Sequence, residues 1–234
     1  MTYRTLAPDK IVETLERLHA RIKERFPDAG LEKVSADVTE LARTTAARAA
    51  QLARPFLWLR LLLIALVIAG LAAQIYAARF LHVSSAAVDA PEFMQGLESA
   101  VNLLILFGGA VWFLLTLEER IKRGRALAAL HELRSLAHVI DMHQLTKDPT
   151  LVVGGNRTAA SPVREMSQFE LTRYLDYCAE MLALIGKLAA LYGERLRDPV
   201  IVEAVNDIEN LTANLGRKIW QKITIIGQLV ERKG

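Results

Sequence analysis

The chain has a single cysteine among its 234 residues, Cys178, which excludes an intramolecular disulfide and a zinc-thiolate cage. It reads as a small hydrophobe packed in a core. Reaction signatures are equally scarce. There is no Gly-x-Ser-x-Gly elbow, no His-Glu-x-x-His pair and no P-loop, so no enzyme is expected. Neither a cofactor nor a metal site is expected either. Prolines number only 7, and between Pro91 and Pro149 there is none, which leaves room for one very long helix. A secretory signal is not expected, because Met1 to Pro55 is polar and helical in pattern.

Against these absences stand two uncharged apolar runs, Leu61 to Ala78 and Ala100 to Leu117. Each is close to the ~20 residues needed to cross a ~30 Å hydrocarbon core. The first extends back to Phe56, and Arg60 lies near enough to that end to snorkel towards headgroups. Mean hydropathy is +0.22 despite 24% charged residues, so the hydrophobicity is concentrated in segments. The expected fold is therefore an all-α integral membrane protein: a two-span transmembrane hairpin with an antiparallel cytoplasmic helical bundle. The boundaries are 1–55 for N-terminal cytoplasmic helices, 56–117 for the hairpin with its short external loop, and 118–234 for the bundle.

Positive charge sets the orientation. Arg43, Arg48 and Arg54 precede the first run, and Arg120, Lys122, Arg123 and Arg125 follow the second, whereas Arg79 between them is outweighed by Asp89, Glu92 and Glu98. Both termini are expected in the cytoplasm, at a bacterial inner membrane. The net charge of +3 and pI of about 9.1 point to anionic lipid headgroups and not to nucleic acid, because the basic residues cluster beside the spans.

Periodicity places the helices. Ile11, Leu15, Leu18 and Ile22 form one stripe that Pro27 ends. A second helix begins near Asp28 and carries Leu31, Val34, Val38, Leu41, Thr45 and Leu52 in a coiled-coil-like seam. The second span passes through Glu118, Arg120 and Gly124 to about Leu145 with nothing but Gly124 to weaken it. Arg79 to Leu97 is expected as the external loop, with a turn over Asp89 to Gly96 and His82 as a loop histidine. Lys147 to Ser161 interrupts the chain, and its Gly154-Gly155-Asn156-Arg157-Thr158 lacks the features of a nucleotide loop. Ser161-Pro162 then signals a helix with Met166, Phe169, Tyr174, Cys178, Met181, Ile185, Leu188 and Tyr192 in its apolar arc. Asp198-Pro199 opens the last helix, through Val202, Val205, Ile208, Leu211, Leu215, Ile219, Ile223 and Ile226. The helices from Asp28, from the second span's tail, from Pro162 and from Pro199 alternate in direction, as a four-helix bundle requires.

Three faces are candidate sites. On the first span Ala65, Ala69 and Ala73, with Gln74 beside them, let another helix approach closely; that helix is either the second span or another subunit. A hydrogen bond between Gln74 and Asn102 would suit the first alternative. On the second, Asn102, Gly109, Thr116 and Arg120 share one side with His131, Arg134, His138 and Asp141, within an arc of roughly 80°. The upper part of this stripe reads either as helix packing or as the lining of an oligomeric pore with a basic mouth. The lower part reads as a polar surface or as a pH-sensitive contact, since a seven-residue spacing holds His131 and His138 roughly 10 Å apart, too far to share one ion.

The layout resembles that of calcium uniporter-like channels and of some two-span bacterial defence effectors. The acidic Trp-Asp and Glu-Pro signature of the uniporters is absent, because the loop reads Val88-Asp89-Ala90-Pro91-Glu92. The expected function is a noncatalytic membrane scaffold or regulator that forms a homo-oligomer or docks a membrane-protein partner; the alternative is an oligomeric ion channel lined by the second span.

Overall fold

The computed structural model of the chain describes residues 5–52, 54–83, 90–147 and 166–231. Among them are six α-helices and no strand: α1 (Pro8–Arg25), α2 (Gly30–Leu52), α3 (Leu57–Val83), α4 (Ala90–Leu145), α5 (Gln168–Arg195) and α6 (Pro199–Glu231). The chain divides into two compact units, one of residues 1–53 with 125–234 and the other of residues 54–124.

In the first unit the stripes read from periodicity meet. Ile11, Leu15, Leu18 and Ile22 of α1 are buried together with Leu31, Val34 and Val38 of α2. Pro8 sits in the first turn of α1, where the missing N–H costs nothing. The α1–α2 turn is made at Asp28, whose φ of 59° is one that Asp tolerates because its short side chain can bond locally. The helices run antiparallel, with His19 Nδ1 2.7 Å from Ser35 Oγ near the turn and Arg43 2.8 Å from Glu16 farther along. α5 and α6 are likewise antiparallel, their close approach marked by Gly186 against Thr212 and Gly193 against Val205. Asp198 Oδ1 accepts the N–H of Val200 at 2.9 Å, so the expected cap-and-proline start of α6 is present.

The tail of α4 completes this core with Ala126, Leu130, Leu133, Ala137 and Ile140. Arg48 of α2 bonds Glu132 at 2.8 Å, and Lys222 of α6 bonds the Gln144 side chain at 2.6 Å. The core therefore draws on five helical segments, because α1 contributes as deeply as the four of the expected bundle: Leu18 and Ile22 are fully buried.

Several boundaries differ from expectation. The Ser161-Pro162 start and the Gly154-Gly155-Asn156 segment lie outside the described residues. The described cap of α5 is Ser167, whose hydroxyl accepts the Glu170 N–H at 3.2 Å while Glu170 accepts the Ser167 N–H at 2.8 Å. Phe169 is 62% exposed and not in the apolar arc; the Arg25 guanidinium lies over its ring at 5.1 Å. Val202 is also exposed.

The second unit is the pair of α3 and the first part of α4, side by side and antiparallel: Gly70 meets Phe107 midway, and the Phe56 N–H meets Glu118 at one end. Both helices are long and apolar enough to cross a membrane, with windows averaging 2.4 and 2.2 in hydropathy. The anticipated loop of Arg79 to Leu97 is helical where it is described, since α3 continues to Val83 and takes in His82, and α4 already begins at Ala90. Pro91 falls in the first turn of α4, where proline is compatible with a helix, so the expected turn over 90–96 is helical. α4 is helical throughout, Gly124 included.

Candidate functional site

Within the second unit the side of α3 carrying Leu59, Leu63, Leu66, Val67 and Gly70 is the covered one, with the three- and four-residue spacing of a helix face. Phe107, Val111, Leu114 and Glu118 are its counterpart on α4. A Cβ built on Gly70 would lie 2.6 Å from Phe107 Cζ, so glycine is what lets the ring seat against the α3 backbone. Ala65, Ala69, Ala73 and Gln74 are exposed on other sides of α3. Contact with α4 is thus made by leucines, valine and glycine. Gln74 and Asn102 are both exposed, and no hydrogen bond joins them among the described residues.

Asn102, Gly109, Thr116 and Arg120 lie about half a helical turn away from the Phe107 face of α4 at ~100° per residue. Asn102, Gly109 and Arg120 are exposed, and nothing within 4 Å would meet a Cβ on Gly109. The Thr116 hydroxyl donates to its own helix, to the carbonyls of Trp112 at 3.2 Å and Phe113 at 3.1 Å, the ordinary way a threonine is satisfied in an apolar helix.

At the charged end of the pair, Glu118 is the hub. Its carboxylate accepts from Lys122 Nζ at 2.7 Å and from the Phe56 N–H at 3.2 Å, with Arg60 Nε at 3.7 Å. The Lys122 ammonium also sits 5.4 Å from the centre of the Phe56 ring. The hydrogen bond from Lys122 holds the Glu118 carboxyl below its ordinary range, with the Phe56 N–H adding to this against a burial penalty. The local signal for this cluster was the Glu118-to-Lys122 spacing of four, favourable on a helix. Nothing local announces that Phe56 and Arg60 complete it.

In the first unit His131 and His138 are exposed and Asp141 is half-buried, accepting from Gln144 Nε2 at 2.5 Å. The cluster that sequence reasoning missed lies deeper. Lys147 is 4% exposed with its ammonium 4.2 Å from the Tyr174 ring centre, and Lys222 donates to the carbonyl and the side chain of Gln144. Burial pushes the nearby Cys178 thiol up to about 12, against a smaller opposing effect of the two lysines. Lys147 stands at the edge of a turn cluster, so no periodicity marks it as interior. No group of three metal-ligating side chains forms among the described residues.

No family model, curated protein or solved structure matches the chain.

Proposed function

We propose that this chain is a noncatalytic membrane-anchored assembly protein: α3 and α4 cross a bacterial inner membrane as a hairpin, both termini are cytoplasmic, and the helical bundle docks further copies or a membrane-protein partner. One observation carries the reading. The apolar windows of α3 and α4 are only 6% and 0% buried, leaving side chains such as Leu61, Ile68, Leu106 and Trp112 more than half exposed. An uncovered apolar surface of that extent in water is unfavourable by roughly 25 cal/mol per Å², and lipid removes the cost. The bundle, by contrast, buries its own apolar stripes. Its basic neighbours Arg120 and Arg123 fit anionic headgroups, each gaining ~1 kcal/mol there. The exposed Ala65, Ala69 and Ala73 supply a face on which a second helix can pack closely.

The chain should resist alkaline extraction from membranes, and Ala69→Cys should give a crosslinked dimer in native membranes. A strictly monomeric species, with no partner recovered by crosslinking, would overturn the assembly reading.

The channel remains the second reading, favoured by one observation: Asn102, Gly109 and Thr116 face away from the α3 contact and are open to a further helix or an axis. Purified protein in liposomes should then pass ions and Thr116→Leu should reduce the flux; no conductance under any ionic condition removes it.

A further inference from the structure

We infer that the groove between α3 and α4 at Arg60 and Glu118 holds one phospholipid with a zwitterionic headgroup bearing a primary ammonium. The inference rests on the reading that these helices cross a membrane. The groove measures about 570 Å³, and its walls are of two kinds. Leu63, Ile64, Leu114 and Leu115 form an apolar channel along the helices, suited to the start of an acyl chain. Arg60, Glu118, Glu119 and Lys122 form the charged mouth.

Two of these four charges are already committed. Glu118 and Lys122 pair at 2.7 Å and both are about 85% covered, so they serve as the floor. The other two point outward. Arg60 is 61% exposed and approaches Glu118 through Nε at 3.7 Å, which leaves the two terminal nitrogens of its guanidinium for a ligand. That fork matches the oxygens of a phosphate. Glu119 is exposed and forms no hydrogen bond or ion pair among the described residues. The mouth is therefore neutral as a whole, with one cation and one anion to offer. A phosphatidylglycerol headgroup would satisfy Arg60 with its phosphate but offer Glu119 only neutral hydroxyls and no cation. A choline headgroup has no N–H to donate. A phosphate followed by a primary ammonium satisfies both groups at once.

Native mass spectrometry of the full-length protein, titrated in turn with phosphatidylethanolamine, phosphatidylcholine and phosphatidylglycerol, tests this. The expected result is one tightly retained phosphatidylethanolamine, preferred over phosphatidylcholine by at least about tenfold, the effect of one hydrogen bond between charged groups. Glu119→Gln should bring phosphatidylethanolamine down to the phosphatidylcholine level and leave phosphatidylcholine unchanged, whereas Arg60→Gln should weaken both. Equal retention of the two zwitterionic lipids by the wild-type protein overturns the inference. So does a preference for phosphatidylglycerol that Glu119→Gln leaves intact, which would mark simple attraction to the basic residues. Alkaline extraction separates the two levels: a chain that is extracted from membranes removes the membrane reading, and a chain that resists extraction but shows no headgroup preference removes only the groove.

Discussion

The contact between Gly70 and Phe107 offers a test in which one substitution changes sign with its background. In a helix interior, replacing glycine by alanine stabilises by ~1 kcal/mol through backbone entropy. At Gly70 the new methyl would lie 2.6 Å from Phe107 Cζ and 3.0 Å from Cδ2, with Cε2 closer still, so the ring or the helix must move. Overpacking of that kind costs ~1–3 kcal/mol. The sum predicts that Gly70→Ala is neutral to destabilising by ~2 kcal/mol in the wild-type protein. With Phe107→Ala in place the obstacle is gone and only the propensity gain remains, so the same Gly70→Ala should stabilise by ~1 kcal/mol. The coupling between the two positions is then ~1–3 kcal/mol, large for a pair this small.

Reversible unfolding of the helix pair in mixed micelles, followed by energy transfer between labels on α3 and α4, measures all four corners of the cycle. Stabilisation by Gly70→Ala in both backgrounds, with coupling near zero, would show that the ring does not seat on Gly70. The described packing of α3 against α4 would then be wrong.

Leu133 is fully buried in the bundle, so Leu133→Ala should cost ~2–5 kcal/mol and lower the thermal midpoint of the purified protein by at least several degrees; an unchanged midpoint would contradict the burial of the α4 tail. Cys178 is fully buried with its thiol pushed up to about 12, so alkylation by iodoacetamide at pH 8 should be negligible until denaturant is added. Rapid labelling of the native protein would refute this. Glu118 has its folded carboxyl held below the unfolded value of 4.5, so its contribution to stability is fully present above that value and fades as pH falls through the folded one. Glu118→Gln should remove that acid-side loss from the unfolding profile of the helix pair, and an identical pH profile in both proteins would refute the assignment.

Local periodicity carried much of the fold. The spacing of Ile11, Leu15, Leu18 and Ile22 requires nothing but one helical face, and all four are buried. The same holds for Leu31, Val34 and Val38, and the absence of any helix breaker carries α4 to Leu145. What periodicity does not contain is the identity of the partner face. The alanines of α3 invite close approach by composition, yet Gly70 and its leucine neighbours lie on the side that meets α4, where the Phe107 ring seats against Gly70. Phe169 obeys the period of α5 and still lies outside, one residue into the helix, where among the described residues it meets the Arg25 guanidinium at the end of α1. The beginning of α4 was hidden for a related reason: Pro91 and Gly96 resemble a turn in isolation, but proline in a first turn and one exposed glycine are compatible with helix.

The histidine face of α4 shows how burial narrows a reading that spacing leaves open. A pH-sensitive contact inside the bundle would need an imidazole enclosed against a charged or polar neighbour. His131 and His138 are instead exposed, while the Asp141 carboxylate on the same side accepts a hydrogen bond from Gln144. Neither imidazole is enclosed in the core, and a double His131→Ala, His138→Ala variant should unfold within about 0.5 kcal/mol of the wild-type protein. A role for this face has to come from something that docks on it. If a second copy docks there, assembly measured by crosslinking across a pH series should depend on pH in the wild-type protein and not in the double variant. A loss of several kcal/mol in the isolated protein would instead place the imidazoles in the interior and contradict their exposure.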